Sequence, residues 1–380
     1  MKDVRTVLVV FGTRPEAIKM APLVLELKKH TDWQVRVAVT AQHREMLDQV
    51  LDVFQIRPDY DLNIMKKQQT LVDITSRVLS GLRAVMLETE PAMVLVHGDT
   101  TTTFAAALAA FYQKIPIGHV EAGLRTYDKY APYPEEMNRQ LTGVLADLHF
   151  APTDVAKEAL LGEGKRDENI FVTGNTVIDA LTTTVREDFT HPLLDQVRGA
   201  RYILLTAHRR ENWGEPLRRI FQAVKTLLSR HPDVHVIYPV HPNPEVKETA
   251  EALLGEEPRA HLTEPLEMVA FHNLMARSTL ILSDSGGVQE EAPALGKPVL
   301  VLREVTERPE GVRAGTLLLV GTDEARIVAE TERLLGDQEA YLKMARAKNP
   351  YGDGQASRRI REALAYYFGE RTDPPEAFRS

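Results

Sequence analysis

The chain of 380 residues contains no cysteine. Disulfide bonds, thiolate catalysis and cysteine-based metal sites are therefore excluded. Long apolar runs are also absent: no stretch approaches the roughly 18 consecutive apolar residues of a membrane span, and the first residues show no secretory signal pattern. Basic residues do not predominate, since 46 Lys and Arg stand against 54 Asp and Glu, a formal net charge of −8. This balance argues against nucleic acid or an anionic membrane as the main partner, and we expect a soluble, cytoplasmic protein.

Apolar residues make up 43% of the chain, enough to bury a large core and to build two domains of ordinary size. Short β-branched runs alternate with longer helical patterns, which is typical of parallel α/β folds. The predicted strands cover 4–11, 34–40, 93–97, 117–121, 149–151, 170–173, 202–206, 235–239, 261–263, 280–283, 299–302 and 316–320. These are too many for one sheet. We predict two doubly wound, Rossmann-like domains, 1–170 and 171–360, with a C-terminal helix at about 361–380 packing back on the first.

The conspicuous polar residues follow the carboxyl ends of these strands, the edge at which open α/β sheets bind ligands. The first strand leads into "FGTRPEAIKM", where Gly12, Thr13 and Pro15 account for a strand-to-helix turn. Arg14 and Lys19 are not needed for a turn, and they lie near a helix N-terminus, which already favours anions. This stretch alone is compatible with an anion site and with a solvated turn. It is neither a Walker loop nor a dinucleotide fingerprint.

Carboxylates follow two strands and open a helix in the first half of the chain. "VLVHGDTTTT" places Asp99 after a strand, where it either serves a ligand or caps the next helix, and "IGHVEAGLRT" places Glu121 at the same edge. "YAPYPEEMNRQ" adds Glu135, Glu136 and Arg139. Because acids are favoured in the first turn of any helix, Glu136 is equally compatible with a structural role.

Histidines and arginines follow two strands in the second half. "LLTAHRRENWG" supplies His208 and Arg209, and "YPVHPNP" supplies His241. A single histidine at a strand end is more often structural than catalytic. Two histidines at one edge together with arginines favour an anionic ligand instead.

The strongest local signal is "LILSDSGGVQEEAPALGKPVL", in which a strand is followed by Ser285, Gly286, Gly287 and a helix. Paired glycines let the backbone approach a phosphate closely, and the helix N-terminus supplies N–H donors. Acids in this helix, such as Glu291, would repel a phosphate, so we expect one of them to face a neutral partner such as ribose hydroxyls. "REVTERPEGVRAG" follows the next strand with several arginines, among them Arg308, and at least one could reach the same anion.

Together, these motifs resemble the non-hydrolysing bacterial UDP-N-acetylglucosamine 2-epimerases. The matching segments are "FGTRPEAIKM", "HGDTTT", "HVEAGLRT", "PEEMNRQ", "HRREN", "SDSGGVQEEAP.LGKPVL" and "R..TERPE", in this order between Val7 and about Gly321. The resemblance implies the two-domain arrangement known as GT-B, with the active site in the cleft between domains, no cofactor, no metal and a homodimer. It also implies a place in cell-envelope polysaccharide biosynthesis.

The reaction that the resemblance implies is reversible epimerisation at carbon 2 of UDP-N-acetylglucosamine, giving UDP-N-acetylmannosamine. UDP is eliminated to leave 2-acetamidoglucal and then adds back. By resemblance Asp99, Glu121 and Glu135 are the acid/base groups, with His208 near the diphosphate. The substrate-binding residues would be Arg14, Lys19, Arg139, Ser285, Gly286, Gly287, Glu291 and Arg308.

Several bacterial members of this family bind a second UDP-N-acetylglucosamine and are activated by it. Gln42, Arg209 and His241 match positions of that pocket, together with Glu135. Glu45 and position 68, a glutamine here, depart from the activated relatives, which argues against such regulation.

Other classes of protein share parts of this pattern. A GT-B glycosyltransferase would use the same nucleotide pocket but transfer the sugar to an acceptor, and a hydrolysing 2-epimerase would release free N-acetylmannosamine and UDP. A nucleotide-sugar sensor would have no use for three carboxylates at the sheet edge. An NAD-dependent epimerase is disfavoured because no dinucleotide fingerprint follows the first strand.

Overall fold

Strands and helices alternate through the chain, as the sequence predicts. The computed structural model describes residues 4–41, 44–66 and 68–379. The chain divides into two units: unit 1 comprises Met1–Thr182 and Tyr351–Ser380, and unit 2 comprises Thr183–Pro350. Within the described ranges, every helix is too short or too polar to cross a lipid bilayer.

Unit 1 contains a seven-stranded parallel sheet. Its strands are β1 (Arg5–Phe11), β2 (Trp33–Val39), β3 (Tyr60–Asp61), β4 (Met93–His97), β5 (Ile117–Val120), β6 (Leu148–Ala151) and β7 (Ile170–Val172). They lie in the order β3-β2-β1-β4-β5-β6-β7, so the direction of winding reverses between β1 and β4. In the register, Val7 of β1 lies opposite Val35 of β2 and Met93 of β4.

Unit 2 contains a six-stranded parallel sheet. Its strands are β8 (Arg201–Thr206), β9 (Val234–Pro239), β10 (Ala260–Thr263), β11 (Leu280–Ser283), β12 (Val299–Val301) and β13 (Leu317–Leu319). The order β10-β9-β8-β11-β12-β13 reverses between β8 and β11. Both sheets are therefore doubly wound, and the predicted fold class is confirmed.

Helices connect successive strands in both units. They are α1 (Arg14–Leu27), α2 (Arg44–Val53), α3 (Leu71–Thr89), α4 (Thr101–Tyr112), α5 (Glu135–Leu145), α6 (Asp154–Gly162), α7 (Thr176–Thr184), α8 (Pro192–Gln196), α9 (Glu215–Arg230), α10 (Pro244–Leu254), α11 (Met268–Arg277), α12 (Gly286–Ala294), α13 (Pro309–Ala314), α14 (Glu324–Gly336), α15 (Gln338–Ala345) and α16 (Ala356–Tyr367). Since helices cover both faces of a parallel sheet, its central strands are apolar throughout rather than alternating. In β1, the residues from Val7 to Phe11 are all buried.

Each unit has its own apolar core. In unit 1, Leu8 and Val10 of β1 pack with residues of α3 and α4, including Val78 and Ala106. In unit 2, residues of β8 and β9 pack against α9, whose buried face includes Phe221. These cores hold the strands at fixed positions, so the loops at their carboxyl ends start from rigid supports.

The C-terminal helix is shorter than the sequence predicts and begins earlier. The predicted helix at 361–380 is α16, which begins at Ala356 and ends at Tyr367. Gly369, with φ of 72°, turns the chain beyond this helix, and two prolines follow at 374 and 375.

The predicted domain limits at 170 and 360 also differ from those of the two units. β7 pairs with β6 and so extends unit 1 past residue 170. The chain returns to unit 1 at Tyr351, and α16 packs on α1. Among the strands of the two sheets, the apolar runs predicted all but β3, which has two residues.

Candidate active site

The candidate residues of unit 1 gather at the carboxyl ends of β1, β4 and β5. The reversal of strand order between β1 and β4 opens a crevice at this edge, where doubly wound sheets bind ligands. Thr13 caps α1, because its hydroxyl accepts the backbone N–H of Glu16. Thr100 caps α4 by accepting the N–H of Thr103 at 3.1 Å. Asp99 is therefore not the N-cap residue of α4 and is left for another role.

Glu121 is a carboxylate at this edge with basic and amide groups around it. Its backbone has a left-handed φ of 60°, rare for a residue with a side chain. Its Oε2 atom accepts a hydrogen bond from Lys19 and another, at 2.9 Å, from Nδ2 of Asn175, and lies 3.7 Å from Nε2 of His97. Burial disfavours the charged form of this carboxylate, but Lys19 and His97 outweigh burial and hold its pKa well below the ordinary value.

Asp99 has the opposite electrostatic environment. Its Oδ2 atom lies 3.2 Å from Nη2 of Arg139, and its backbone carbonyl accepts a hydrogen bond of 3.0 Å from Asn138. Burial raises the pKa of Asp99 although Arg139 opposes the shift, and the nearby negative charge of Glu121 raises it further. Two neighbouring carboxyl groups therefore have pKa values moved in opposite directions.

Two adjacent acids at the start of α5 differ in their surroundings. Glu136 is fully buried, and its carboxylate accepts the backbone N–H groups of Thr126 and Tyr127 at 3.0 Å each. Its role is to hold the loop before α5. Glu135 is half-buried, and its carboxylate has no hydrogen bond to any residue within the described ranges. Glu135 therefore remains the candidate that can meet a ligand.

In the turn of "FGTRPEAIKM", a side-chain carboxylate already accepts the backbone N–H groups. The buried carboxylate of Glu16 accepts the backbone N–H groups of Gly12 at 3.0 Å and Thr13 at 2.7 Å. The amides of this turn are therefore already used, and an external anion could meet only side chains here. Arg14, the first residue of α1, is exposed, whereas Lys19 pairs with Glu121.

Most candidate residues of unit 2 lie where its sheet order reverses, after β8 and β11, while His241 follows β9 and Arg308 follows β12. Asp284 is fully buried and accepts the backbone N–H groups of His208 and Arg209 at 2.9 Å each. Nδ2 of Asn212 donates a third hydrogen bond at 2.9 Å, so one carboxylate fixes the whole loop. The ring of His208 stacks on that of His241 with centroids 5.9 Å apart. Burial lowers the pKa of His208, although Asp284 opposes this shift.

Two guanidinium groups converge at the N-terminus of α12. A Cβ atom added to Gly286, the first residue of this helix, would lie 3.6 Å from Nη2 of Arg209 and 3.7 Å from Nη2 of Arg308. Ser285 is the N-cap residue, but its hydroxyl makes no capping bond. The N–H donors of the helix, the hydroxyl of Ser285 and two arginines form an arrangement suited to a phosphate group.

The acids of α12 have basic partners. Glu290 pairs with Nε of Arg308, and Oε2 of Glu291 lies 3.2 Å from Nε2 of His272. The predicted repulsion between this helix and a phosphate is therefore reduced. Glu291 stays close to the glycine turn, since a Cβ atom on Gly287 would lie 3.3 Å from its Oε1 atom.

Within unit 1, the structure places these candidates close to one another: Lys19, Asp99, Glu121 and Arg139. Within unit 2, it groups a second set: His208, Arg209, His241, Ser285, Gly286, Gly287, Glu291 and Arg308. Gln42 lies outside the described residues. Sequence reasoning did not select His97, Asn175, Asp284 or His272. His97 is the last residue of β4, and Asn175 and Asp284 follow β7 and β11, so the search at strand ends that found the other candidates could have found these three. His272 lies within α11 and carries no local signal.

The fold is that of a doubly wound α/β protein, with two neighbouring carboxyl groups of divergent pKa in one unit and two arginines at a helix N-terminus in the other. Residues 25–365 match the family model of UDP-N-acetylglucosamine 2-epimerase, and the chain belongs to this family.

Individual relatives agree with the family assignment. The UDP-N-acetylglucosamine 2-epimerase of Bacillus subtilis (strain 168) is 62% identical over 372 residues, covering 98% of this chain and 98% of that protein. A crystal structure of a UDP-N-acetylglucosamine 2-epimerase is similar over 100% of both chains, with a TM-score of 0.94 and 58% identity. The Neisseria meningitidis UDP-GlcNAc 2-epimerase, solved bound to UDP-GlcNAc, has a TM-score of 0.84 and 52% identity over 95% of this chain and 100% of that chain.

Proposed function

We propose that this chain interconverts UDP-N-acetylglucosamine and UDP-N-acetylmannosamine without hydrolysis and without a cofactor. The proposal is supported by the family, by the relative that binds UDP-GlcNAc, and by the groups present in each unit. In this proposal, unit 1 transfers the protons at carbon 2 of the sugar and unit 2 binds the UDP.

The chemistry requires an elimination, because the proton on carbon 2 is not next to a carbonyl and is not acidic. The bond from carbon 1 to the diphosphate oxygen breaks, and UDP leaves with the electron pair. The proton on carbon 2 passes to a carboxylate, and a double bond forms between carbons 1 and 2. A proton then arrives at the opposite face of carbon 2, and UDP adds back to carbon 1. No electrons are exchanged with another reagent.

The observation that carries the proposal is the placing of Asp99 and Glu121 at one sheet edge, where Lys19 pairs with Glu121 and Arg139 with Asp99 and the pKa values of the two carboxyl groups are moved in opposite directions. Two neighbouring titratable groups with divergent pKa values are the usual basis of an acid/base pair. Glu121, held ionised by Lys19, would accept the proton from carbon 2. Asp99, which keeps a proton more readily, would deliver one, and Glu135 would serve as the third acid/base group. The roles reverse in the reverse reaction.

UDP binding requires donors for the diphosphate and acceptors for the ribose. The helix N-terminus at Gly286 and Gly287, the hydroxyl of Ser285 and the guanidinium of Arg308 would bind the phosphates, with His208 beside them. Glu291 would accept hydrogen bonds from ribose hydroxyls. Arg14, Lys19 and Arg139 would complete the substrate contacts.

A second nucleotide-sugar pocket involving Gln42, Arg209 and His241 stays a prediction. Arg209 lies beside Gly286, as Arg308 does, so in this proposal any such pocket would adjoin the diphosphate site.

We further propose that the active form is a homodimer. The neighbouring helices α3, α4 and α5 carry exposed apolar side chains: Leu87, Phe111, Tyr112 and Val144. Clusters of exposed apolar residues mark interfaces more often than free surface. Sedimentation should give the mass of two chains, and Phe111→Glu should reduce it to the mass of one. A monomeric parent protein would refute this part of the proposal.

The reaction is tested by incubating the protein with UDP-N-acetylglucosamine in deuterium oxide and separating the products. Deuterium at carbon 2 of UDP-N-acetylmannosamine is expected, and Asp99→Asn, Glu121→Gln and Glu135→Gln should each lose on the order of a hundredfold in rate. Free N-acetylmannosamine with UDP would identify a hydrolysing enzyme, and sugar transfer to an added acceptor a glycosyltransferase. Product formed at full rate with only protium at carbon 2 would refute the mechanism.

A further inference from the structure

Asn175 is a buried residue of unit 1 whose side chain has a determined orientation. It is 4% exposed and follows β7 at the same sheet edge as Glu121. Its Oδ1 atom accepts the backbone N–H of Val177 at 3.1 Å. Because only an oxygen can accept that N–H, the Nδ2 group must point the other way, where it donates to Oε2 of Glu121 at 2.9 Å.

The loop that carries Asn175 is held by residues far along the chain. The backbone N–H of Asn175 donates to the carbonyl of Tyr351 at 2.7 Å. Gly174, with φ of 83°, passes so close to Gly352 that an added Cβ atom would lie 3.2 Å from its Cα. A loop packed this closely, backbone against backbone, allows Asn175 little displacement.

The C-terminal segment 351–378 continues this support. Arg359, which is buried, donates to the carbonyl of Thr173 at 3.2 Å and to the carboxylate of Asp353 at 2.7 Å. Its guanidinium lies over the ring of Phe378, 5.6 Å from the centroid. Phe378 is 3% exposed, and its backbone N–H donates to the carbonyl of Val172 at 2.8 Å. The segment therefore encloses the loop from 172 to 175.

We propose that Asn175 is a positioning residue for Glu121, and that residues 351–378 keep it in place for the reaction. This inference deepens the proposed function and rests on it, because Glu121 matters to catalysis only if the carboxylate transfers a proton. Asn175 does not touch the reacting atoms in this scheme. It holds one oxygen of Glu121 and favours its ionised form.

Several charged or titratable groups face Glu121, and any pH effect must be separated from theirs. Lys19 of α1 and His97 of β4 stabilise its negative charge, and Asp99 after β4 opposes it. None of these groups is changed by a substitution at Asn175. Asn175→Asp keeps the shape but places a second carboxylate where the amide donor stood. Asn175→Ala removes the donor without adding charge.

The first experiment follows the carboxyl carbon of Glu121 by ¹³C NMR as a function of pH, with Glu121→Gln providing the assignment. In the parent protein the midpoint should lie well below that of an unperturbed glutamate, because Lys19 and His97 stabilise the ionised form. Asn175→Ala should raise its midpoint by about one pH unit, and Asn175→Asp by more. Thr176→Val is the matched control, because this neighbouring buried hydroxyl has no hydrogen-bond partner among the described residues. It should titrate as the parent does.

The second experiment measures kcat, KM and UDP affinity across the same pH range. Asn175→Asp should lower kcat about tenfold near neutral pH, because Glu121 loses the amide donor that positions its carboxylate. It should also move the acid limb of kcat/KM upward, with UDP affinity unchanged. Phe378→Ala should give a smaller change of the same kind, while Phe368→Ala, in the same segment but in contact with Trp33, should not.

The outcomes separate this inference from the proposed function. An unchanged Glu121 titration in Asn175→Asp overturns the inference, as does a shifted titration with parent-like kcat/KM at every pH. If the parent protein does not epimerise UDP-N-acetylglucosamine, the proposed function fails. The NMR titration then still decides whether Asn175 controls the ionisation of Glu121.

Discussion

Acid should destabilise unit 1 through two buried histidines that lie side by side. His119 of β5 is fully buried, and its Nε2 atom lies 2.7 Å from the carbonyl of Gly98, to which it donates. His149 of β6 is its register partner on the next strand. Burial lowers the pKa of His119 to about 3 and that of His149 to about 4. An unfolded histidine titrates near 6.5.

The direction and size of the effect follow from this difference. Because the folded-state pKa lies below the unfolded-state pKa, the stability due to each neutral histidine is fully present above about pH 6.5 and is lost as the pH falls toward the folded-state value. Between pH 7 and pH 5, the unfolded chain takes up a proton at each site and the folded chain does not. Each histidine should therefore cost about 2 kcal/mol over this range.

The perturbation is His119→Gln, which keeps a donor for the carbonyl of Gly98 but does not titrate. Urea unfolding at pH 7 and pH 5 should show a loss smaller by about 2 kcal/mol in the variant than in the parent protein. The chain has two tryptophans, Trp33 in unit 1 and Trp213 in unit 2. A Trp213→Phe background therefore reports the unfolding of unit 1 alone. Equal losses in parent and variant would refute the assignment of a neutral, buried His119.

Three further predictions concern packing and charge. Asp284→Ala should destabilise unit 2 by about 3 to 5 kcal/mol, since it leaves buried donors unpaired, and Trp213 fluorescence during denaturation should report the loss; a loss under about 1 kcal/mol would contradict this. Gly123→Ala should prevent stable folding of unit 1, because the new Cβ atom would lie 2.2 Å from the carbonyl oxygen of Ala156 at a φ of 92°; a parent-like melting temperature would be the contrary result. Gly287→Asp should weaken UDP binding by calorimetry at least roughly tenfold, about 1.4 kcal/mol, in a folded protein, and unchanged affinity would remove the α12 N-terminus from the UDP site.

Much of the fold could be predicted from the sequence because its strands are continuous apolar runs. Strands such as β4 and β11 were predicted with the limits that the structure has, since both faces of a central parallel strand are buried and no polar residue interrupts it. β3 escaped prediction because two residues cannot form a pattern. The limits of the units depend on which strand pairs with which, and that information is not local.

The candidate site was predictable only in part, for a related reason. Residues at strand ends could be found because parallel strands deliver their carboxyl ends to one edge. The contrast between Glu135 and Glu136 could not be predicted from the sequence. Adjacent helix positions point about 100° apart, and only the surrounding loop decides which of the two is buried. Two further contacts also could not be predicted: the hydrogen bonds from the turn amides to Glu16, and the hydrogen bond from Asn175 to Glu121, which lies 54 residues earlier in the chain.

The split of unit 1 between two stretches of sequence bears on the order in which the chain folds during synthesis. Unit 2, Thr183–Pro350, is continuous and leaves the ribosome before residues 351–378 do. The first stretch of unit 1 therefore cannot complete its fold while unit 2 is being synthesised, because residues 351–378, which support the loop at Gly174, have not yet been made. We expect unit 2 to acquire protease resistance on the nascent chain before unit 1 does. Nascent chains arrested after Pro350 should hold a folded unit 2 beside a unit 1 that is still incomplete.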